Sequence, residues 1–542
     1  MVSGLAAIDH VVVLMLENRS FDHMLGFLYA DAGNISPTGQ PFEGLTGQES
    51  CPDASGNPVT VVRMTPSTPS VYFMPGADPG EGYVNTNEQL FGSSTAPAAG
   101  TRPAMQGFVT NYATAIADNL QRHWYVVPGT KPEWIMNCHS PQTLPVLSAL
   151  ARGFAVCDHW FCSVPTQTMP NRAFVSAGTS QGHLDNHTKV FTVPSIFGRL
   201  EQAGQRWRIC GYDATSLTQR DFPDTAGATP DHFGQFADFQ HDCAGGTLPA
   251  YTFLEPNWSS SGNSEHPNYD MARGEQLLLD TYHAVRTSPQ WPTTGLVITF
   301  DEHGGCYDHV APPWGATPPD ASIGEFGFDF TRFGVRVPTV LISPLIPAGT
   351  VFRSPTDVPL DHTSVLATLE RRWGLPALTA RDAAAPDFGA VFSLETARTD
   401  DPLAGVTAPP RRHSPPTWPP RCRTCSTRSP SWWRTIRAWN SRRRSPVQPR
   451  RSSTSSRPGR PRSAGQRQWP PHRSRGRNPS RPVSAVPGGI LEPGPRPVRI
   501  PPLSSVTVTL PLEQRKARQC SGLPVTGRPP PSGSRSRFPR TP

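Results

Sequence analysis

The chain predicts an α/β fold, and three apolar runs together with two helical stretches carry that reading. Residues 8–16, 295–300 and 339–343 are short apolar runs rich in Val, Ile and Leu. Runs apolar on both faces suit the central strands of a parallel sheet covered by helices. Residues 364–373 have helical spacing, with Val365, Leu366, Leu369 and Trp373 on one face and Gly374 and Pro376 as a stop. Residues 274–285 read as a second helix. Strands and helices mixed along one chain define the class.

The first run leads into ENRSFDH at 17–23. In open α/β sheets, ligands collect at the carboxyl ends of the strands. The Glu17 carboxylate and the Asn18 amide oxygen are hard ligands for a divalent cation there, although the same residues would serve as a capped helix start. The run at 295–300 ends in DEHGG at 301–305. Asp301 and Glu302 are adjacent carboxylates that repel unless a cation or a proton holds them together. Gly304 and Gly305 allow the backbone to turn closely past a ligand. Two strand ends bearing oxygen ligands make a shared metal site the economical reading.

A third motif is TQTMPNR at 166–172. Pro170 suits the first turn of a helix, which puts Thr168 just before that helix. A helix N-terminus favours negative charge, so it stabilises both an alkoxide and a phosphate, while an ordinary threonine cap is the commoner role for this residue type. His266, His309 and His362 each lie beside an acidic residue, and histidine is the usual proton donor near neutral pH.

Together these segments resemble the phosphoesterase family of bacterial phospholipases C, plant non-specific phospholipases C and related acid phosphatases. The resemblance runs in order through ENRSFDHMLGF at 17–27, TQTMPNRAFVSAGTS at 166–180, LPAYTFLEPNW at 248–258, EHPNYDMARGEQLL at 265–278, ITFDEHGGCYDHVAPP at 298–313 and FGVRVPTVLISPLI at 333–346. It implies an alkaline phosphatase-like, three-layer α/β/α sandwich. It implies Thr168 as nucleophile, Asn171 as a ligand of a phosphoryl oxygen, and Glu17, Asn18, Asp301 and Glu302, with the oxygen of Thr168, as metal ligands. His266 matches an active-site histidine; His309 and His362 match further ones, as a catalytic and a substrate-binding residue. The implied reaction is metal-dependent hydrolysis of a phosphatidylcholine-type phospholipid through a phosphothreonine, releasing diacylglycerol. Acid phosphatase action on soluble phosphate esters is the alternative within the family. All-oxygen ligation suggests calcium, magnesium or manganese, with zinc or iron as borderline alternatives.

Charge divides the chain. Of its 50 Lys and Arg, 29 follow residue 405, but only 2 of its 42 Asp and Glu do, so residues 1–405 carry about −19 and residues 406–542 about +27. The second segment is rich in Arg, Pro and Ser, without apolar period except a short strand candidate at 505–510. Such a chain cannot bury enough apolar surface to offset its ordering entropy and is expected to be disordered. A GC-rich gene read out of frame gives the same composition. With Trp432, Trp433 and Trp439 among its arginines, this tail is also the basis of a different reading, a binder of nucleic acid or anionic membranes. That reading leaves the motifs of the acidic segment without a purpose, so nucleic acid is not the expected partner.

Seven cysteines in the acidic segment, an odd number without tight spacing, do not form a disulfide framework, and the C-x-x-C at 422–425 is a weak zinc signal without a second half. The start lacks a basic stretch and a cleavage site, and no run reaches the roughly 20 apolar residues of a membrane span. The chain as written is therefore expected to be cytoplasmic or peripherally membrane-bound, and secreted if its true start lies upstream. A chain ended at residue 405 is expected to fold and to keep its activity on soluble substrates. Insoluble protein from that truncation would place part of the core beyond the cut.

Overall fold

The computed structural model describes residues 4–410. At its centre is an eight-stranded sheet: β1 His10–Leu16, β2 Ala155–Val156, β3 Trp207–Gly211, β4 Phe233–Gln235, β5 Tyr251–Leu254, β6 Thr294–Phe300, β7 Val340–Ile342 and β8 Thr350–Val351. Their order across the sheet is β8-β2-β7-β6-β1-β5-β3-β4. The β1 and β6 strands pair in parallel over seven positions, from His10 with Thr294 to Leu16 with Phe300. Every side chain of β6, and every one of β1 after His10, is buried. Both faces of this pair are therefore covered, as the apolar runs require.

Seven helices matter to the site: α1 Phe21–Leu25, α2 Pro145–Gly153, α3 Thr168–Ala177, α4 Ile196–Gln202, α5 Phe236–Gly245, α6 Met271–Arg286 and α7 Thr363–Trp373. Helices α2, α5 and α6 pack together, as do α3, α4 and α7, which gives the helix–sheet–helix sandwich. Local chemistry sets their ends. The Asp270 carboxylate accepts from Ala272 N at 3.1 Å and starts α6 three residues before the position read from apolar spacing. Gly374, at φ 64°, closes α7 in the left-handed conformation expected of it. Helix α2 begins at Pro145 and has no cap of its own. The buried Glu275 of α6 supplies one, accepting from Val146 N at 2.7 Å and Leu147 N at 2.9 Å.

Two expectations change. The 339–343 run forms β7 but pairs antiparallel with both β6 and β2. An apolar run reports burial; direction depends on how the chain returns from the long excursion after β6. The acidic segment also does not stop packing at 405. Leu403 belongs to the main core, Val406 and Ala408 lie against it, and Pro409 is buried. The tail beyond 410, including its strand candidate, its C-x-x-C and its tryptophans, lies outside the described residues. No helix of the described residues is long and apolar enough to cross a membrane, and the seven cysteines among them are free and buried.

A second apolar cluster, including Phe27, Leu45, Phe108, Tyr112 and Ile135, packs against Tyr307 and Val335. It packs the loop at 75–82 through Ala77, while Val71, Tyr72, Phe73 and Met74 just before that loop belong to the main core. Glu275→Ala is expected to leave two buried helix donors unpaired and to cost about 2–4 kcal/mol. Denaturant unfolding measures this, and a loss under about 1 kcal/mol would show that water replaces the cap.

Candidate active site

The in-register ends of β1 and β6 bring their two turns together. Asp301 N donates to Leu16 O at 3.2 Å, and Asn18 N donates to Asp301 Oδ1 at 2.9 Å. Asn18 is held at φ 59°, a left-handed conformation that asparagine tolerates. Gly304, at φ 61°, passes so close that a Cβ there would lie 2.1 Å from Asn18 O. At Gly305 it would lie 2.5 Å from Gly80 O. The two glycines thus let the β6 turn pass the β1 turn and the 75–82 loop. Their close approach is to backbone rather than to a ligand.

Thr168 is the first residue of α3, with Gln167 as the cap and Pro170 third in the helix. The helix therefore starts a residue earlier than Pro170 suggested. Thr168 is buried, and its hydroxyl donates to Asn18 Oδ1 at 3.4 Å. One turn further along α3, Arg172 Nε donates to Asp301 Oδ2 at 3.1 Å, and its Nη2 donates to Met15 O and Leu16 O. The guanidinium lies 4.4 Å from the centre of the Trp258 ring. This arginine ties the helix of Thr168 to the end of β1.

The other wall is made by residues the sequence reading did not single out, Asp78 and Glu81. Glu81 accepts from Asn18 Nδ2 and, at 3.3 Å, from Gln167 Nε2. His266 Nε2 lies 3.8 Å from Asp78 Oδ1. Its backbone is fixed by the buried Arg19, which donates to the carbonyls of Glu265 at 2.6 Å, Met74 at 2.7 Å and His266 at 3.1 Å. Asp78, Glu81 and His266 can bring ligand atoms within 4.8 Å of one another.

Five carboxylates, those of Glu17, Asp78, Glu81, Asp301 and Glu302, thus converge on one arginine and one histidine. Burial pushes Glu17 up to about 7, and Asp301 adds to the shift. Burial, with Asp78 next, pushes Glu81 up to about 8. Glu302 is driven well above the ordinary carboxylate range by burial and then by Glu81 and Asp301. Burial would lower His266, but Asp78, Glu17 and Glu81 outweigh it and hold its pKa above the usual imidazole value. The fully buried Glu302 Oε1 has no hydrogen-bond partner, and neither has Arg172 Nη1. Hard oxygen donors in excess of positive charge, one of them unpaired, are the chemistry a divalent cation takes. The ligand atoms brought within 4.8 Å of one another here are those of Asp78, Glu81 and His266, a set without Glu17, Asp301 or Glu302.

The remaining expected residues stand apart from Thr168. The amide of Asn171 is committed to the loop before α3: it accepts from Val164 N and donates to the carbonyls of Val164, Thr166 and Gln167. It braces the loop before Thr168 and has no amide N–H left over for a phosphoryl oxygen. His362 is fully buried, accepts from Trp160 Nε1 at 3.4 Å and donates through Nε2 to Asp301 O at 2.6 Å. Burial lowers its pKa, so it supports the β6 turn from behind as a neutral ring. His309 belongs to a separate ionic network. Its Nδ1 meets Asp22 Oδ2 at 2.6 Å, and Arg336 bridges Asp22 at 2.9 Å and Asp308 at 3.0 Å. No described hydrogen bond or ion pair links that network to Thr168.

Asp78 and Glu81 were illegible because they reach the site on a loop about 60 residues after β1 in sequence, brought there only by distant packing. Arg172 did carry a signal: four residues after Thr168 on a helix, it shares that residue's face.

The chain belongs to the phosphoesterase family, whose model matches residues 8–376. It is 37% identical over 428 residues to non-specific phospholipase C6 of Arabidopsis thaliana, covering 76% of this chain and 77% of that protein. It is 29% identical over 441 residues to phospholipase C A of Mycobacterium tuberculosis (strain ATCC 25618 / H37Rv), covering 72% and 78%. Among solved structures it is similar to an alkaline phosphatase superfamily protein from Vibrio parahaemolyticus, at 12% identity and a TM-score of 0.31 over 46% of this chain and 65% of that one, a likeness too distant to bear on the reaction.

Gly304→Ala is expected to force Asn18 out of place. Left-handed strain alone costs about 1–3 kcal/mol, and the clash with Asn18 O adds to it. A protein that still folds should lose most of its activity. Unchanged melting temperature and turnover would show that the two turns separate freely.

Proposed function

We propose that this chain is a metal-dependent phosphoesterase of phospholipase C type. It hydrolyses phosphatidylcholine-type phospholipids to diacylglycerol and a phosphorylated head group, working peripherally at the lipid surface. The observation that carries the proposal is the Thr168 hydroxyl at the first turn of α3, 3.4 Å from the Oδ1 of Asn18, whose own N–H groups are held by the carboxylates of Asp301 and Glu81. The similarity to proteins named phospholipase C supports the substrate class.

A divalent ion, when bound, supplies Lewis acidity toward a phosphoryl oxygen and lowers the pKa of the threonine hydroxyl. Calcium, magnesium or manganese suits the oxygen donors, with zinc or iron as alternatives. Thr168 Oγ1, having lost its proton to solvent, attacks phosphorus as the alkoxide, in line with the leaving diacylglycerol oxygen. The amide dipoles at the start of α3 favour the negative charge that gathers there. His266, with its pKa raised by Asp78, Glu17 and Glu81, still holds a proton near neutral pH and gives it to the leaving oxygen. The resulting threonine phosphoester is hydrolysed when water, giving its proton to His266, attacks phosphorus and Thr168 Oγ1 leaves as the alkoxide, which restores both groups. Arg172 keeps the nucleophile's helix docked against Asp301, and Asn171 keeps its loop closed.

Thr168→Ala is expected to lower kcat at least about 10³-fold while leaving the melting temperature within a few degrees, since nucleophile removal spares binding and fold. The assay compares phosphatidylcholine, p-nitrophenylphosphorylcholine and p-nitrophenyl phosphate, with and without chelator. Near-normal turnover by Thr168→Ala would overturn the nucleophile assignment. Hydrolysis of p-nitrophenyl phosphate alone would replace the phospholipase reading by an acid phosphatase one.

A further inference from the structure

The Asn18 amide has two chemically different ends, and one of them must face the reacting centre. Its backbone is fixed by the bond to Asp301 Oδ1 and by the contact with Gly304. The freedom that remains is a half-turn of the amide plane, which exchanges Oδ1 and Nδ2. With Oδ1 toward Thr168, the amide can bind a cation and accept from the nucleophile. With Nδ2 there it can do neither.

We infer that Glu81 is a positioning residue that selects the productive orientation of Asn18, which deepens the proposed metal-assisted reaction and rests on it. One of its carboxylate oxygens accepts from Asn18 Nδ2, which leaves Asn18 Oδ1 pointing at Thr168 Oγ1. Flipping the amide would set oxygen against oxygen. The other carboxylate oxygen accepts from Gln167 Nε2 at 3.3 Å. Gln167 caps α3 directly before Thr168; its Oε1 accepts from Asn186 N, and Asn186 Oδ1 accepts from Met169 N. Glu81 therefore orients a metal ligand with one oxygen and steadies the nucleophile's helix start with the other. Its own position is set from behind: Gln89 donates to Gly80 O at 2.6 Å and accepts from His303 Nε2 at 2.8 Å, beside Glu302.

A carboxylate at position 18 would need no orienting, because its two oxygens are equivalent. The test is a double-mutant cycle of Glu81→Ala and Asn18→Asp in the full chain, read by manganese(II) affinity from calorimetric titration and by kcat and KM on p-nitrophenylphosphorylcholine. Glu81→Ala alone is expected to weaken manganese(II) binding and lower kcat by roughly 10- to 100-fold with little change in KM, as loss of a residue that orients a ligand does. In the Asn18→Asp background the same change should cost less than about threefold. Glu81→Gln, which keeps an oxygen for Asn18 Nδ2, should stay within about threefold of wild type in manganese(II) affinity, and it replaces Glu81→Ala in the cycle if the alanine variant fails to fold.

Equal losses in both backgrounds, or a Glu81→Gln loss as large as that of Glu81→Ala, would overturn the orienting role and make Glu81 a direct ligand or a plain structural brace. A wild-type protein that binds no manganese(II) and turns over in chelator would overturn the metal reading itself, and the orienting role with it.

Discussion

The parallel pairing of β1 with β6 is the constraint on which the rest of the site depends. Seven registered positions end at Leu16 and Phe300, so Glu17 and Asp301 leave the sheet at the same level. Two acidic turns meet there with little room between them, and each fixes the other: Asp301 anchors Asn18 N, while Gly304 fits under Asn18 O. A slip of one residue would turn every side chain of a strand to the opposite face. The burial of both faces forbids it. Stability and chemistry are therefore tied together, since the same hydrophobic pairing that forms the core forces like charges into contact.

Like charges in a dry pocket must be offset, and the protein offsets them unevenly. Asp301 has Arg172 and two backbone donors. Glu302 has one backbone donor, from Gly304, and a second oxygen with none. Glu17 and Glu81 have pKa values pushed to about 7 and about 8. By contrast, Asp22 and Asp308, equally buried, are satisfied by Arg336 and His309. The two clusters have similar composition and opposite character. One is a closed ionic network that holds α1 to the chain after β6. The other has spare ligand capacity, and chemistry belongs where that capacity is.

Much of this was legible in the sequence where the signal was local. The strand runs at β1 and β6, the acidic turns after them, Thr168 at a helix start and the α/β class all follow from patterns within a few residues. What depended on distant packing was not legible. The direction of β7 is set by a partner about 40 residues away in sequence, and the roles of Asn171, His309 and His362 by which backbone groups happen to need a partner. Asp22, Asp308 and Arg336, from three separate motifs, meet only in the fold, where the arginine lies between the two aspartates beside His309. Asp78 and Glu81 sit in an ADPGEG stretch that reads as an exposed turn until Tyr112 donates to Pro75 O and Gln89 to Gly80 O to hold it against the helices at 83–91 and 108–121.

The loop at 75–82 gives the site a second support. Glu17, Asn18, Asp301 and Glu302 stand at the ends of β1 and β6. Asp78 and Glu81 stand on a loop anchored to the main core through Met74 and to the second apolar cluster through Ala77. Local opening of proteins follows such cooperative units. That loop can thus loosen as a piece while the paired ends of β1 and β6 stay in place. Insertions or exchanges in the excursion between β1 and β2 can change that wall while leaving Glu17, Asn18, Asp301 and Glu302 undisturbed. Divergence in substrate among chains of this architecture is then expected to concentrate in that excursion.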